Sequence, residues 1–325
     1  MKPLTALLPL ALLTAAAPSA KRPLRLAWPI DCMLDQTCAV QNYPDDDPGP
    51  AATDYQCKHR TYAGHDGVDI RLTSMVLERR GVNVLAAAPG TVLRVRDDMA
   101  DISIRDQATS AIAGRECGNG LVIAHTDGWE TQYCHMRQGS LAVHAGQQVA
   151  AGAVLGKVGL SGNSEFPHLH ITVRKDGKMV DPFAYGAPAG ACHVGQSLWA
   201  ASPAYRAGEV LVAGFATSAV TMRDIQENGA EQPARPSSNT PIVAFVQAIG
   251  LEQGDRQRLA LTGPDGATLA DSTPPPLDHD RAQQMLFVGR GRVPPGGWPA
   301  GEYRATYSVT RNGRSVLNHV AKILL

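Results

Sequence analysis

At 325 residues the chain is too long for one small domain and suits two. Its composition, 44% apolar and 18% charged with 32 glycines and 23 prolines, is that of a globular protein and excludes collagen, coiled coil and wholesale disorder. The 30 basic and 30 acidic side chains cancel, and do so on both sides of residue 200, which argues against a nucleic-acid partner.

The first twenty residues read as an address. Lys2 precedes an apolar run from Leu4 to Ala17, and the small residues Pro18, Ser19 and Ala20 follow, the pattern of a secretory signal peptide over residues 1–20. The run is too short to span a bilayer, and no later one is long enough, so no membrane span is expected. The mature chain is expected to be periplasmic or secreted. Export makes the six cysteines readable: Cys32, Cys38, Cys57, Cys117, Cys134 and Cys192 are candidates for three disulfides. None forms a C-x-x-C. Spacing leaves the pairings open, and Cys117 with Cys134, which flank one apparent hairpin, is the favoured pair.

In chain order, residues 21–60 show little periodicity. Their run Asp45-Asp46-Asp47 lacks the ligand pattern of an EF-hand and reads as a solvated loop. From residue 82 the pattern is that of strands: Val82 to Val95, then Leu121 to His125 and Trp129 to Met136 around a Thr126-Asp127-Gly128 turn, then Ala142 to Gly159 and His168 to Arg174. The tail reads as a separate all-β unit. Ile242 to Ile249 and Arg258 to Thr262 are strands, and Tyr303, Ala305, Tyr307 and Val309 alternate with polar residues before an Asn312-Gly313 turn. Short strands with regular turns suggest an immunoglobulin-like β-sandwich over 201–325, with 223–241 as a long internal loop. Leu259 and Leu261 are expected on its buried face with Tyr303 and Tyr307.

Four histidines stand in patterned company. In His65-Asp66-Gly67-Val68-Asp69, an extended backbone puts His65 and Asp69 on one face, with no side chain on Gly67 between them. In Pro167-His168-Leu169-His170, the two imidazoles share a face while Leu169 goes to the core. In Thr131-Gln132-Tyr133-Cys134-His135, alternation places Tyr133 and His135 together. Two histidines and one carboxylate form a zinc set that leaves a fourth position free, the arrangement of a catalytic site.

These segments resemble a family, the lysostaphin-like zinc metallopeptidases that cut peptide bonds in bacterial cell walls. The matching residues are Gly64 to Asp69, Thr131 to Met136, Gly159-Leu160-Ser161-Gly162-Asn163-Ser164, His168 to His170 and Asp181-Pro182-Phe183. The resemblance covers about 60–185 of a first unit taken as 21–200. It implies an antiparallel β-sheet peptidase domain with a barrel-sandwich hybrid motif, and a mainly β chain overall. It implies Zn2+ held by His65, Asp69 and His170, with His135 and His168 catalytic and Tyr133 and Asn163 binding substrate. The implied substrate is a peptidoglycan peptide. One departure is Ile171-Thr172-Val173, where many members have Phe-Glu. The alternative reading is a non-enzymatic cell-wall regulator or scaffold that binds an amidase or the wall through the same groove, with the C-terminal unit as a possible protein-binding part. Gly159 to Asn163 is not a nucleophile elbow, because Asn163 replaces the final glycine.

Overall fold

The computed structural model describes residues 23–325, so the signal-peptide reading of residues 1–20 lies outside the described residues. The first unit is built from β1 (Cys38–Asn42), β2 (Val68–Leu72), helix α1 (Met75–Arg80), β3 (Asn83–Leu85), β4 (Gly90–Arg96) and β5 (Asn119–Ala124). It continues with β6 (Trp129–Met136), β7 (Gln148–Val149), β8 (Val154–Lys157), β9 (His168–Lys175) and β10 (Lys178–Met179). Antiparallel pairing gives one sheet in the order β1-β2-β9-β6-β5-β4-β7, with β10 on β9 and a separate β3–β8 ribbon.

Period-2 alternation decides what each face of that sheet does. Val68, Ile70 and Leu72 of β2 and Leu169, Ile171 and Val173 of β9 enter the core, where Val84 and Leu155 of the ribbon also lie. Each such fully buried aliphatic side chain contributes about 1.5–3 kcal/mol. The intervening residues, Asp69 and Arg71 of β2 and His168, His170, Thr172 and Arg174 of β9, emerge on the opposite face. The six cysteines pair as Cys32–Cys38, Cys57–Cys192 and Cys117–Cys134.

The C-terminal unit contains β11 (Glu209–Ala216), helix α2 (Met222–Asn228), β12 (Ile242–Leu251), β13 (Arg256–Thr262), β14 (Thr268–Ser272), β15 (Arg281–Arg290), β16 (Glu302–Arg311) and β17 (Arg314–Leu324). The sheets β11-β12-β15 and β14-β13-β16-β17 enclose a core in which Leu259 and Leu261 meet Tyr303 and Tyr307. The fourth strand, β14, pairs with β13, whereas in a constant-type immunoglobulin domain it joins the first sheet. Residues 223–241 are not simply a loop. They begin within α2, which opens on a reciprocal cap between Thr221 and Asp224.

All ten residues of β12 are buried, although antiparallel strands usually alternate. Its inner face fills the sandwich, and its outer residues Phe245 and Ile249 form a third apolar cluster with Leu211, Ile225 and Ala39 of β1. The sandwich is thus seated on the same sheet face that carries Asp69 and His170, at the β1 end. Gln41 Nε2 donates to Ala282 O across this contact (3.0 Å).

Candidate metal centre

Strands β2 and β9 pair in a register that sets Asp69 directly opposite His170 and Arg71 opposite His168. Opposed residues on one face have Cβ atoms about 4.5–5.5 Å apart, which brings the two side chains into contact. His170 Nδ1 lies 2.9 Å from Asp69 Oδ1. His65 arrives from the turn before β2, and its Nε2 is 3.2 Å from both Asp69 Oδ2 and His170 Nδ1. Gly67 clears the space: a Cβ there would stand 2.6 Å from His170 Nε2 and 2.7 Å from Ile171 O. The donor atoms of His65, Asp69 and His170 all lie within 4.8 Å of one another, and all three residues are buried.

Residues 43–45 hold this turn, which corrects the reading of Asp45 as part of a solvated loop. Tyr43 O accepts from His65 Nδ1 (2.7 Å), Asp45 N donates to His65 O (2.8 Å), and Gly64 N donates to Asp45 Oδ2 (2.8 Å). Fixing the proton on Nδ1 leaves the Nε2 lone pair of His65 facing the other donors. Asn42 Nδ2 donates to Asp69 Oδ2 (2.8 Å), and His170 Nε2 is shared between Thr172 Oγ1 (3.1 Å) and Asp66 Oδ1 (3.2 Å). Asp66 is tied in turn to Arg174 (3.4 Å), whose guanidinium also donates to Gln132 Oε1 (2.7 Å). The fit to zinc is therefore chemical as well as spatial, with two imidazoles, one carboxylate and outer partners on each.

His135 reaches the site by breaking the alternation of β6. Trp129, Thr131 and Tyr133 face the core, and simple alternation would send His135 there too. Instead Cys134 and His135 together oppose Gly120 of β5 in a bulge, and His135 takes a left-handed backbone with φ 60°. Gly120 is needed there, since a Cβ would stand 1.9 Å from Tyr133 O. The flipped ring of His135 lies 4.5 Å from that of His168, centroid to centroid. His135 Nδ1 bonds Ser161 O (2.8 Å), and His168 Nδ1 bonds Phe166 O (2.9 Å) and Ser164 Oγ (3.0 Å).

Tyr133 is corrected by the same observation. It is fully buried, and its hydroxyl accepts from Ala87 N (2.8 Å) and Thr131 Oγ1 (3.1 Å), so it supports the core instead of lining the pocket. Asn163 is exposed and lines an open pocket that reaches His135 and His170, with Asp66, Gln132 and Arg174 along the same walls. His125 is turned away, bonded to Pro89 O (2.8 Å) and Thr131 Oγ1 (2.8 Å). Asn42, Tyr43, Asp45 and Asp66 were not assigned roles from sequence. Only Asp66, adjacent to His65 in the motif, offered a signal.

Charge organises the centre. Burial opposes ionisation of Asp69, yet the imidazoles of His65 and His168 hold its carboxyl well below the usual range. Burial and the neighbouring His168 and His170 push His135 well down, so it is a neutral imidazole at pH 7. Burial alone would lower His170, but the hydrogen bonds it donates to Asp66 and Asp69 push it up to about 9.

A second carboxyl pair lies nearby. Burial raises Asp46 to about 6 and Asp181 well above the usual range, the latter also through the charge of Asp46. A carboxyl raised in the folded state stabilises at low pH, and that contribution fades as pH rises through about 6. Asp46→Asn, a mimic of the protonated form, is expected to raise the melting temperature at pH 8 by about 1–3 °C. The gain should be smaller at pH 5, where the folded-state carboxyl is protonated but the unfolded one is not, and should vanish only below the ordinary carboxylate value of 3.8. An equal shift at both pH values would show that the pair does not titrate in this way.

Comparison with known proteins finds similarity over the same segment. Residues 63–182 match the model of Peptidase family M23. Over 71 residues the chain is 39% identical to the DD-carboxypeptidase/endopeptidase Mpg of Neisseria meningitidis, a stretch that is 22% of this chain and 16% of that protein. It is 32% identical over 127 residues to the cell division protein DipM of Caulobacter vibrioides, covering 36% of this chain and 17% of DipM. It is 33% identical over 105 residues to the lipoprotein NlpD/LppB homolog of Pseudomonas aeruginosa, covering 32% and 29%. The chain thus spans less than a third of the length of these curated relatives. Among solved structures, the catalytic domain of the prophage-encoded M23 protein EnpA from Enterococcus faecalis is 26% identical, covering 43% of this chain and 93% of that one with a TM-score of 0.31.

Proposed function

Residues 63–182 form a peptidase family M23 domain, and from that premise we propose that the chain is an exported zinc metallopeptidase that hydrolyses peptide cross-links or stem peptides of bacterial peptidoglycan. One observation carries the reading: three metal donors and two further imidazoles meet beside an open pocket. Three disulfides fit an oxidising compartment, in keeping with a periplasmic or secreted location.

His65, Asp69 and His170 hold the zinc. When bound, zinc supplies Lewis acidity, polarising the scissile carbonyl and making an attacking water more acidic. His135 and His168 each have Nδ1 tied to a backbone carbonyl, so each presents Nε2 to the reaction. Neutral His135 accepts the proton of the attacking water. His168, once protonated at Nε2, delivers that proton to the leaving amine or steadies the developing oxyanion, and is reprotonated as His135 gives up the proton it took. Asn163 at the rim and Thr172 and Gln132 on the strands offer hydrogen bonds to the peptide backbone.

The rival reading, a wall-binding regulator without activity, needs no proton handlers. A complete donor set together with two oriented imidazoles favours the enzyme. Zinc content of the purified chain, followed by release of soluble peptide from purified peptidoglycan, separates the two. Zinc-loaded protein that binds peptidoglycan but releases nothing from it would leave the regulator standing.

A further inference from the structure

Arg71 is almost fully buried, 1% exposed, on the sheet face of the metal centre and opposite His168 in the β2–β9 register. No carboxylate among the described residues forms an ion pair with it. A buried cation that touches no carboxylate is costly, so its retention calls for a reason. Its partners are neutral. Nη1 donates to Oε1 of Gln41 and to Oε1 of Gln283, both at 3.0 Å, and the guanidinium carbon lies 3.9 Å from the centre of the Phe166 ring.

Those contacts connect the sandwich to the segment that carries His168. Gln283 belongs to β15 of the sandwich and is itself fixed by Gln247 of β12 (3.1 Å). Phe166, below the guanidinium, stands with its ring 5.1 Å from that of His168, and its carbonyl takes the Nδ1 proton of His168. A rigid planar fork that both stacks on a ring and donates to two amides suits this place, and an ammonium would not.

We infer that Arg71 is a positioning residue through which the C-terminal sandwich holds Phe166, and with it the imidazole of His168, in its working orientation. The inference rests on the peptidase reading for its kinetic consequence but not for its structural one. It gives the sandwich a part in the active site, since removing the upper amide loosens the guanidinium and removing the guanidinium frees the ring that abuts His168.

The test uses the full-length, zinc-loaded chain carrying Arg71→Leu or, in case that variant does not fold, Gln283→Leu at the outer end of the same relay. Three readouts are taken: zinc content, long-range proton–nitrogen spectra of the histidine rings, and kcat and KM for peptide release from purified peptidoglycan. Zinc content should stay at the wild-type level. The single Nδ1-protonated form of His168 should give way to a broadened mixture while the His65 and His170 signals hold. kcat should fall roughly tenfold or more with a smaller change in KM, because misplacing a reacting group costs rate more than binding. Gln283→Leu should act in the same direction. Unchanged His168 signals and unchanged kcat, with only the melting temperature moved, would make Arg71 merely structural and overturn the inference. An unaffected Gln283→Leu variant would remove the sandwich from the relay and overturn it likewise. If the wild-type chain holds zinc but digests no peptidoglycan, the peptidase reading fails and the spectra still decide the relay.

Discussion

Replacing His168 with alanine is expected to leave zinc bound and to lower peptide hydrolysis roughly 10²–10⁴-fold, the usual contribution of one positioned acid–base group. The geometry separates it from its neighbour two residues on. His170 Nδ1 is 3.2 Å from His65 Nε2 and joins the convergent donor set, whereas His168 lies outside that set with its ring against that of His135. His168 Nε2 reaches Asp69 Oδ1 only at 3.5 Å. Its Nδ1 proton is taken by Phe166 O, so the ring offers one nitrogen to chemistry. His135 should behave alike, and its left-handed backbone makes His135→Asn the cleaner variant, because asparagine tolerates that conformation. Loss of zinc from His168→Ala with retention in His170→Ala would invert the two roles. Full activity in His168→Ala would leave proton transfer to His135 alone.

The shared face of the candidate site residues was legible in the sequence because strand alternation is a strong rule on β9, where His168, His170, Thr172 and Arg174 alternate with three core aliphatics. The same rule misled at Tyr133. A bulge inserts one residue and reverses the facing of all that follows, and nothing in Tyr133-Cys134-His135 announces it. The support of His65 was hidden for another reason. Tyr43 and Asp45 act largely through a backbone carbonyl and a backbone amide, which leave no residue-type signature. In the tail, turns and alternation revealed two inward-facing strands. They did not reveal that β12 is covered on both sides, since its outer partners, Ala39 among them, lie far away in sequence. Arg71 was unreadable on similar grounds: its neutral partners Gln41 and Gln283 come from different units.

Removing any one of His65, Asp69 or His170 should abolish tight zinc binding, a larger loss than the roughly 10–100-fold that follows from removing an outer partner. Asp69→Asn is the sharpest of the three. It keeps the shape and a bond to Asn42 but removes the only carboxylate of the donor set, leaving two buried imidazoles without the charge that suits a dication. The readout need not be catalytic. Zinc that binds only the folded chain stabilises it, by about 4 kcal/mol when free metal exceeds the dissociation constant a thousandfold, and each variant should lose that zinc-dependent rise in melting temperature. The proton on His170 adds a signature of its own. With its folded-state value at about 9, the metal-free ring is protonated at pH 7, and zinc must displace that proton to reach Nδ1. Below pH 9 the apparent affinity of the wild-type chain should therefore climb by about tenfold per pH unit, and calorimetry in two buffers should detect about one proton released per zinc. No dependence on pH over that range, with no proton released, would mean that zinc does not compete with a proton on His170 and that another nitrogen, His168 Nε2 first among them, completes the set.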